Sequence, residues 1–579
     1  MQFIKIIVLI VAMLGFYLTI KRRNKIRKEF IPIIIISVIT IVEFLAGILN
    51  LMKITTILIV LSGVVLAIYE FLTIIKRKEK LQIDIGIIIF AIFICLFAYL
   101  LIGAKLLHYD NFSHWGTIGK ELLIENKLPN FESDTILFTS YPPATACFIY
   151  FCCKFLGNSE GAMLFAQSML ILTSLYTIFA LCKKDKKITY LIGCLAFIYL
   201  LLGNIFIDEL LVDTVLPVMG IAAFVIIIYY QKDLKKGLLC SIPVLSVLTL
   251  VKNSGIFFVL VDLAIWIIYF IKRNGIKGFI KEKYIIIILL PFFLQLLWNG
   301  HIGLVFEEPD LAKHSMSVSN YLNNIKEKGI DDIIFIGKKF VKEMTSLQNI
   351  ENIVMPLFII YFISLLWIYR KNSEKNKIVK NAFIFMFISY GIYQISLLAM
   401  YIFSMPMAEA EKLASYSRYY RTILLFEYGI VITTTLRMLN NGIDGKKERV
   451  IETIIIILTM LLIVFSPNKL QQMYQRNFKE VKIREEISQF KEKGLIPEEK
   501  SYFVYVGDDE CYTLDYIYHM WCYEYRSPRI RVVHKLSELE NKKELEAYEY
   551  FIVLKSTEEI EQFLKVTGGV LEENVIRYK

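Results

Sequence analysis

A polytopic bundle of membrane helices with a small C-terminal α/β domain is the fold class that three features of the sequence predict. The chain of 579 residues is 56% hydrophobic, more than a soluble protein of that length carries in long blocks. Over the first 466 positions the apolar residues gather into runs of about 17 to 25, the length a helix needs to cross a bilayer. Beyond position 466 charges become frequent and the apolar stretches shrink to strand length.

Short basic loops set the direction of each crossing. They are "KRRNKIRK" (21–28), "KRKEK" (76–80), "KKDKK" (183–187), "QKDLKK" (231–236), "KRNGIKGFIKEK" (272–283), "RKNSEKNK" (370–377) and "GKKER" (445–449). The positive-inside bias makes all of them cytoplasmic. About fourteen crossings follow, near 3–20, 30–50, 54–75, 84–104, 162–182, 188–206, 209–230, 238–252, 255–271, 283–300, 351–369, 380–404, 419–437 and 449–466. Both termini then lie outside, with the first outer loop (105–142), "DELLVD" (208–213), the loop 301–350, residues 406–418 and the tail.

The first run, "FIKIIVLIVAMLGFYLTI", is followed by a basic loop and no small-residue cleavage site, so it reads as a membrane helix rather than a signal peptide. "PPATACFIYFCCKFLG" (142–157) is too short for a full crossing and reads as a half-length helix dipping in from the outer side. Such irregular segments are tolerated where they are buried in protein or line a cavity. The formal net charge of +11 is carried largely by the loops, so it calls for no nucleic-acid partner. The nine cysteines show no zinc-type pairing and read as structural.

In the tail, "YFVYV" (502–506), "RIRVV" (529–533), "YFIVL" (550–554) and "VIRY" (575–578) alternate with helical patterns, which predicts a largely parallel sheet. The turn "VGDDE" after the first strand lacks the glycine spacing of a nucleotide loop. The domains are therefore 1–83, accessory membrane helices; 84–466, the membrane domain with the chemistry; and 467–579, a soluble domain over the outer face.

Ionisable groups at the mouths of membrane helices are costly to desolvate, which marks them as functional candidates. Asp110, His114 and Trp115 stand together where an apolar run ends, and a helix there would align Asp110, His114, Thr117 and Glu121 on one face. Tyr141 precedes two prolines that suit a first helical turn. Asp208 and Asp213 flank a short outer loop, and Lys252 interrupts two apolar segments. Arg418 and Arg421 sit three residues apart at a helix mouth, where paired guanidinium forks suit a phosphate.

Taken in order, "YDNFSHWGTIGKELLIENKLP", "SYPPATACFIYF", "IDELLVDTVLPVMG", "LVKNSG" and "AEKLASYSRYYRTILL" resemble the GT-C superfamily of membrane glycosyltransferases over roughly residues 84–437. The likeness is to a bacterial branch with a D-x-F-S-H-W first outer loop. It implies an inverting enzyme that moves a sugar from a polyprenyl-phosphate donor to a cell-envelope glycan or lipid acceptor. The role implied for Asp110 is catalytic. His114, Trp115, Tyr141, Asp208 and Asp213 would meet acceptor or sugar, and Lys252, Arg418 and Arg421 the donor phosphate. No cofactor is implied as required. Asn111 stands where metal-using relatives carry a second acidic residue, which leaves a divalent metal open. The alternatives are a polysaccharide polymerase or ligase, and a transporter of lipid-linked glycans, for which the chain shows no inverted repeat.

The topology can be tested directly. Single cysteines introduced in 105–142 and in 467–579 should react with an impermeant thiol reagent in intact cells. Protection of both until lysis would overturn the assignment.

Overall fold

The computed structural model describes residues 2–79, 84–131, 133, 136, 138–202, 207–281, 284–306, 318–346, 349–440, 445–464, 478–507, 513–527, 529–538, 545, 547–567 and 571–577. Helices dominate it, as the apolar runs predict. The N-terminal group is α1 (Gln2–Asn24), α2 (Ile31–Ile48) and α3 (Met52–Arg77), and α4 (Ile85–Leu101) leads to the Asp110 stretch. There a π-helical turn over Asn111–Trp115 runs into α5 (Gly116–Glu125). Next come α6 (Ala144–Leu156), α7 (Glu160–Tyr176), α8 (Lys187–Leu202), α9 (Val215–Tyr229), α10 (Leu234–Val251) and α11 (Gly255–Lys281). A short α12 (Tyr284–Ile288) precedes α13 (Leu290–Val305), followed by α14 (Val318–Glu327) and α15 (Ile330–Thr345). The membrane part closes with α16 (Val354–Ile368), α17 (Ser373–Phe403), the single turn α18 (Met407–Ala410), α19 (Tyr416–Asn440) and α20 (Gly445–Val464).

Among the described residues, nine helices are long and apolar enough to cross a membrane, and five more are apolar but shorter. One of the shorter ones is α6, whose 13 residues match the half-length helix read from the sequence. At 1.5 Å per residue it rises about 20 Å, short of the hydrocarbon core.

Local chemistry sets several helix starts. Side chains of Asp84, Ser159, Asp233 and Asn372 each accept a hydrogen bond from a first-turn amide of α4, α7, α10 and α17. Pro32 and Pro291 occupy the first turns of α2 and α13, where no amide proton is missed.

Three expectations need correction. The run near 209–230 becomes helical only at Val215, because residues 207–213 fold back as a turn region against the Asp110 stretch. The region 301–350 carries the helices α14 and α15, whose mixed composition hides an amphipathic pattern. The π-helical turn adds a residue to one turn, so the stripe Asp110, His114, Thr117, Glu121 is broken.

The bundle centres on α9, which packs against α7, α10, α11 and α19, and is buried along nearly its whole length. α2 also packs against α6 and α10, whereas α1 and α3 pack chiefly on each other. Their contact is close: a Cβ on Gly15 would lie 2.0 Å from the Gly63 carbonyl oxygen. A second close approach governs the site. The α10–α11 break folds back so tightly that a Cβ on Gly255 would meet the Leu248 carbonyl oxygen at 1.9 Å. Only glycine fits there.

In the tail, α21 (Phe478–Glu492) precedes β1 (Ser501–Tyr505), α22 (Leu514–Tyr525), β2 (Arg529–Val533), β3 (Tyr550–Val553), α23 (Glu558–Thr567) and β4 (Val575–Arg577). The sheet order is β2-β1-β3-β4, with β1 parallel to both neighbours and β4 antiparallel to β3. This is the largely parallel sheet expected from alternating strands and helices. Asp508, Asp509 and Glu510 of the "VGDDE" turn lie outside the described residues.

Candidate functional site

The site is built where α4 ends. Residues 104–107 leave that helix without regular structure before a helical turn at Tyr109 and Asp110, and the backbone groups of Leu106 and Leu107 are all claimed. The Leu106 amide donates to Glu160 Oε2 at 2.8 Å, and the Leu107 amide to Glu209 Oε2 at 3.5 Å. Arg484 donates to the Leu106 carbonyl oxygen, and Tyr516 Oη to that of Leu107 at 2.8 Å. Asn111 then ties this stretch to the turn before α9, its amide donating to Glu209 while its Oδ1 accepts from the Leu210 amide at 3.0 Å. Burial, reinforced by the adjacent Asp208, pushes the Glu209 carboxyl up to about 8, so it is largely neutral at pH 7.

With both ends fixed, the Asp110 side chain projects into the membrane domain. It caps no helix. Its Oδ2 accepts from Arg418 Nη1, and His108 Nδ1 lies 3.8 Å from its Oδ1. The same guanidinium reaches Asp213, with Arg418 Nε 3.3 Å from Oδ2. Lys252 Nζ completes the cluster at 3.3 Å from Asp213 Oδ1. Burial alone would raise both carboxyls, but Arg418 and His108 hold Asp110, and Lys252 and Arg418 hold Asp213, below the usual carboxylate range. Burial would likewise lower Lys252, and Asp213 with Tyr419 and Tyr141 outweighs it.

Aromatic rings wall the cluster. Lys252 lies over the Tyr419 and Tyr141 rings at 5.0 and 5.7 Å. Trp115 and Phe138 both stack on Tyr141, and His114 meets Trp115 and Tyr141 edge-on. His114 is buried, and neither ring nitrogen has a hydrogen-bond partner among the described residues. Burial pushes it down to about 3, so the imidazole is neutral.

Asp213, Lys252, Tyr141 and Tyr419 also line the end of a cavity of about 1370 Å³ between α9 and α11 on one side and α17 and α19 on the other. Its walls are mainly apolar, including Phe224, Phe257, Phe258, Ile265 and Phe385.

The candidates named from the sequence thus divide. Asp110, Asp213, Lys252, Arg418 and Tyr141 converge, and His114 and Trp115 back them. Arg421 pairs with Glu351 instead. Asp208 lies beside Glu209 with a buried Oδ1 that has no partner in the described residues. Sequence reasoning passed over Glu209, His108 and Arg484, and Asn111 entered it only through the metal question. Glu209 was legible in principle, as a carboxylate between Asp208 and an apolar pair, but nothing local separates it from a solvated one. Among the described residues no group of three His, Cys, Asp or Glu side chains is arranged to hold a metal.

No family model matches the chain, and no curated protein matches it in sequence. A solved structure of similar architecture is ArnT from Cupriavidus metallidurans bound to undecaprenyl phosphate, at 11% identity and a TM-score of 0.37, covering 83% of this chain and 94% of that one. A likeness at that level decides neither family nor chemistry.

Arg484 should position the Asp110 stretch without touching the reacting groups. It is buried between Glu160, Glu524 and the Leu106 carbonyl oxygen. Arg484→Met leaves two largely buried carboxylates without their cation, and should cost on the order of 3 kcal/mol of stability. The melting temperature of the detergent-solubilised protein should fall accordingly, and Arg484→Lys should recover part of it. An unchanged melting temperature for Arg484→Met would remove Arg484 from this role.

Proposed function

We propose that the chain is a glycosyltransferase that moves a sugar from a polyprenyl-phosphate donor to an acceptor hydroxyl, with Asp110 as general base. The observation that carries the reading is the juxtaposition of the Asp110–Arg418–Asp213–Lys252 cluster with the end of the apolar cavity. A lipid chain fits such a cavity while its phosphate reaches the cations at the mouth. In this reading Asp110 takes the proton of the acceptor hydroxyl as its oxygen bonds to the anomeric carbon. The bond from that carbon to the donor phosphate oxygen breaks on the opposite side, which inverts the centre. Lys252 and Arg418 stabilise the departing lipid phosphate in a site of low dielectric. Tyr141, Trp115 and Tyr419 offer ring faces of the kind that pack against sugars, and His114, being neutral, offers one donor and one acceptor for hydroxyls. The acceptor is a cell-envelope glycan or lipid that meets the cluster on the outer face of the membrane.

Arg418 has two duties in this scheme. While it bridges Asp110 and Asp213 it keeps Asp110 a weak base. A donor phosphate that draws the guanidinium away leaves burial as the main influence on Asp110, and the carboxylate becomes more basic as the donor arrives.

Two outcomes test the reading in purified enzyme with a synthetic polyprenyl-phosphate sugar and extracted cell-envelope acceptor. Asp110→Asn should lower turnover by about 10²–10⁴-fold with donor binding and expression retained. Near-normal turnover would reduce Asp110 to a structural role, and persistent lipid transport without sugar transfer in the wild type would favour a transporter. The second outcome concerns pH. With Asp110 held below its ordinary pKa of about 3.9 in the free enzyme, the acid limb of kcat/KM should fall below that value. Arg418→Gln removes the acidifying neighbour and keeps the burial, so that limb of kcat/KM should move to higher pH. A limb that stays in place would show that Asp110 is not the titrating base.

A further inference from the structure

The cavity that ends at Asp213 and Lys252 has a second mouth, which the chemistry above does not use. There it is lined by Gln231, Lys232, Lys272, Lys377 and Arg437, with Glu374 the carboxylate among them. Lys272 lies about 26 Å of helix rise along α11 from Gly255, beside Asn253 at the first mouth, approaching the thickness of a hydrocarbon core. The cavity is therefore long enough to connect the two headgroup levels. Leu260 and Ile268 on α11 and Ile384, Ile388 and Ile392 on α17 line it while remaining about half exposed, so its walls face lipid.

Basic loops at this end are expected from the positive-inside bias and alone say nothing of a ligand. Arg437 is different. It stands on the membrane helix α19 and lines the cavity itself, its Nη2 donating to Gln231 Oε1 at 3.3 Å and its side chain hydrogen-bonded with Tyr269. The loop carrying Lys232 is fixed from the other side by Arg273, which donates to the Lys232 carbonyl oxygen at 2.6 Å. A half-buried guanidinium that lines the same cavity as three lysines offers a phosphate-binding set, and the rest of that cavity is mainly apolar.

We infer that this second mouth holds the phosphate of an anionic phospholipid, whose acyl chains lie in the adjoining half of the cavity. Charge complementarity selects the occupant: an anionic headgroup meets these cations directly, whereas a choline headgroup brings a cation of its own. Basic pockets between membrane helices on the cytoplasmic side suit anionic headgroups in this way. The inference is independent of the chemistry at the first mouth and holds whichever reaction runs there.

The full-length protein, reconstituted in nanodiscs of equal phosphatidylglycerol and phosphatidylcholine, is released into detergent, and the lipid it retains is identified by native mass spectrometry. Phosphatidylglycerol should be retained over phosphatidylcholine by about tenfold or more. The triple variant Lys232→Gln, Lys272→Gln, Lys377→Gln alters only exposed side chains and should bring the ratio near one. Arg437→Gln should do the same. Ile388→Trp, which fills the apolar part of the cavity, should reduce retention of both lipids. Equal retention by the wild type, or a preference unchanged in the triple and Arg437 variants, would overturn the inference. So would a preference lost in Lys252→Gln but kept in the triple variant, since the phosphate would then sit at the first mouth. Loss of sugar transfer in Asp110→Asn with the lipid preference intact would separate the two readings.

Discussion

The rest of the membrane domain depends on one guanidinium. Arg418 joins the carboxylates of Asp110 and Asp213, and Lys252 balances the second of them. Any one of these charges, left alone in so poorly hydrated a place, would cost several kcal/mol. Together they form a neutral set. That requirement reaches outward into the backbone: the α10–α11 break must present Lys252, the turn before α9 must present Asp213, and the stretch after α4 must present Asp110. The close approach at Gly255 and the tie between Asn111 and Glu209 are the local solutions.

Much of this architecture was legible from residue patterns. Long apolar runs became helices because a bilayer-length run has few other ways to satisfy its backbone. Four strand-length runs in the tail became the four strands, since alternating strands and helices favour parallel pairing. Asp110, Asp213, Lys252 and Arg418 stood out because a charge beside apolar sequence has to be explained. Their mutual pairing did not stand out, because it joins residues as far apart as Asp110 and Arg418, and spacing along a chain carries no such information. The π-helical turn at Asn111–Trp115 was invisible for a related reason: the sequence there fits an ordinary helix, and tertiary contacts from Glu209 and the tail select the wider turn. Arg484 was missed because it lies in a helix rich in Lys and Glu, where a solvated arginine is the ordinary expectation.

The cavity shows how polar and apolar features divide the work. Its walls come from helices whose residues are unremarkable as membrane sequence, and its two ends come from charged residues at helix breaks and loops. Neither class alone makes a site for an amphiphile. The walls would accept any hydrocarbon, and the charges would accept any anion. Their continuity suits a molecule that carries both, lying along the cavity.

The links between the Asp110 stretch and the tail have a consequence for how the protein is made. Arg484 and Tyr516 hold residues that precede them by 378 and 409 positions. A nascent chain that has inserted everything through α20 already possesses the cavity, Asp110, Asp213, Lys252 and Arg418. It still lacks the contacts that fix the Leu106 and Leu107 carbonyl oxygens. The Asp110 corner is thus the last part of the membrane domain to be finished, completed only when the tail has been synthesised and folded. Until then the newly inserted helices hold an incomplete Asp110 site, and the folding of the tail separates membrane insertion from its completion.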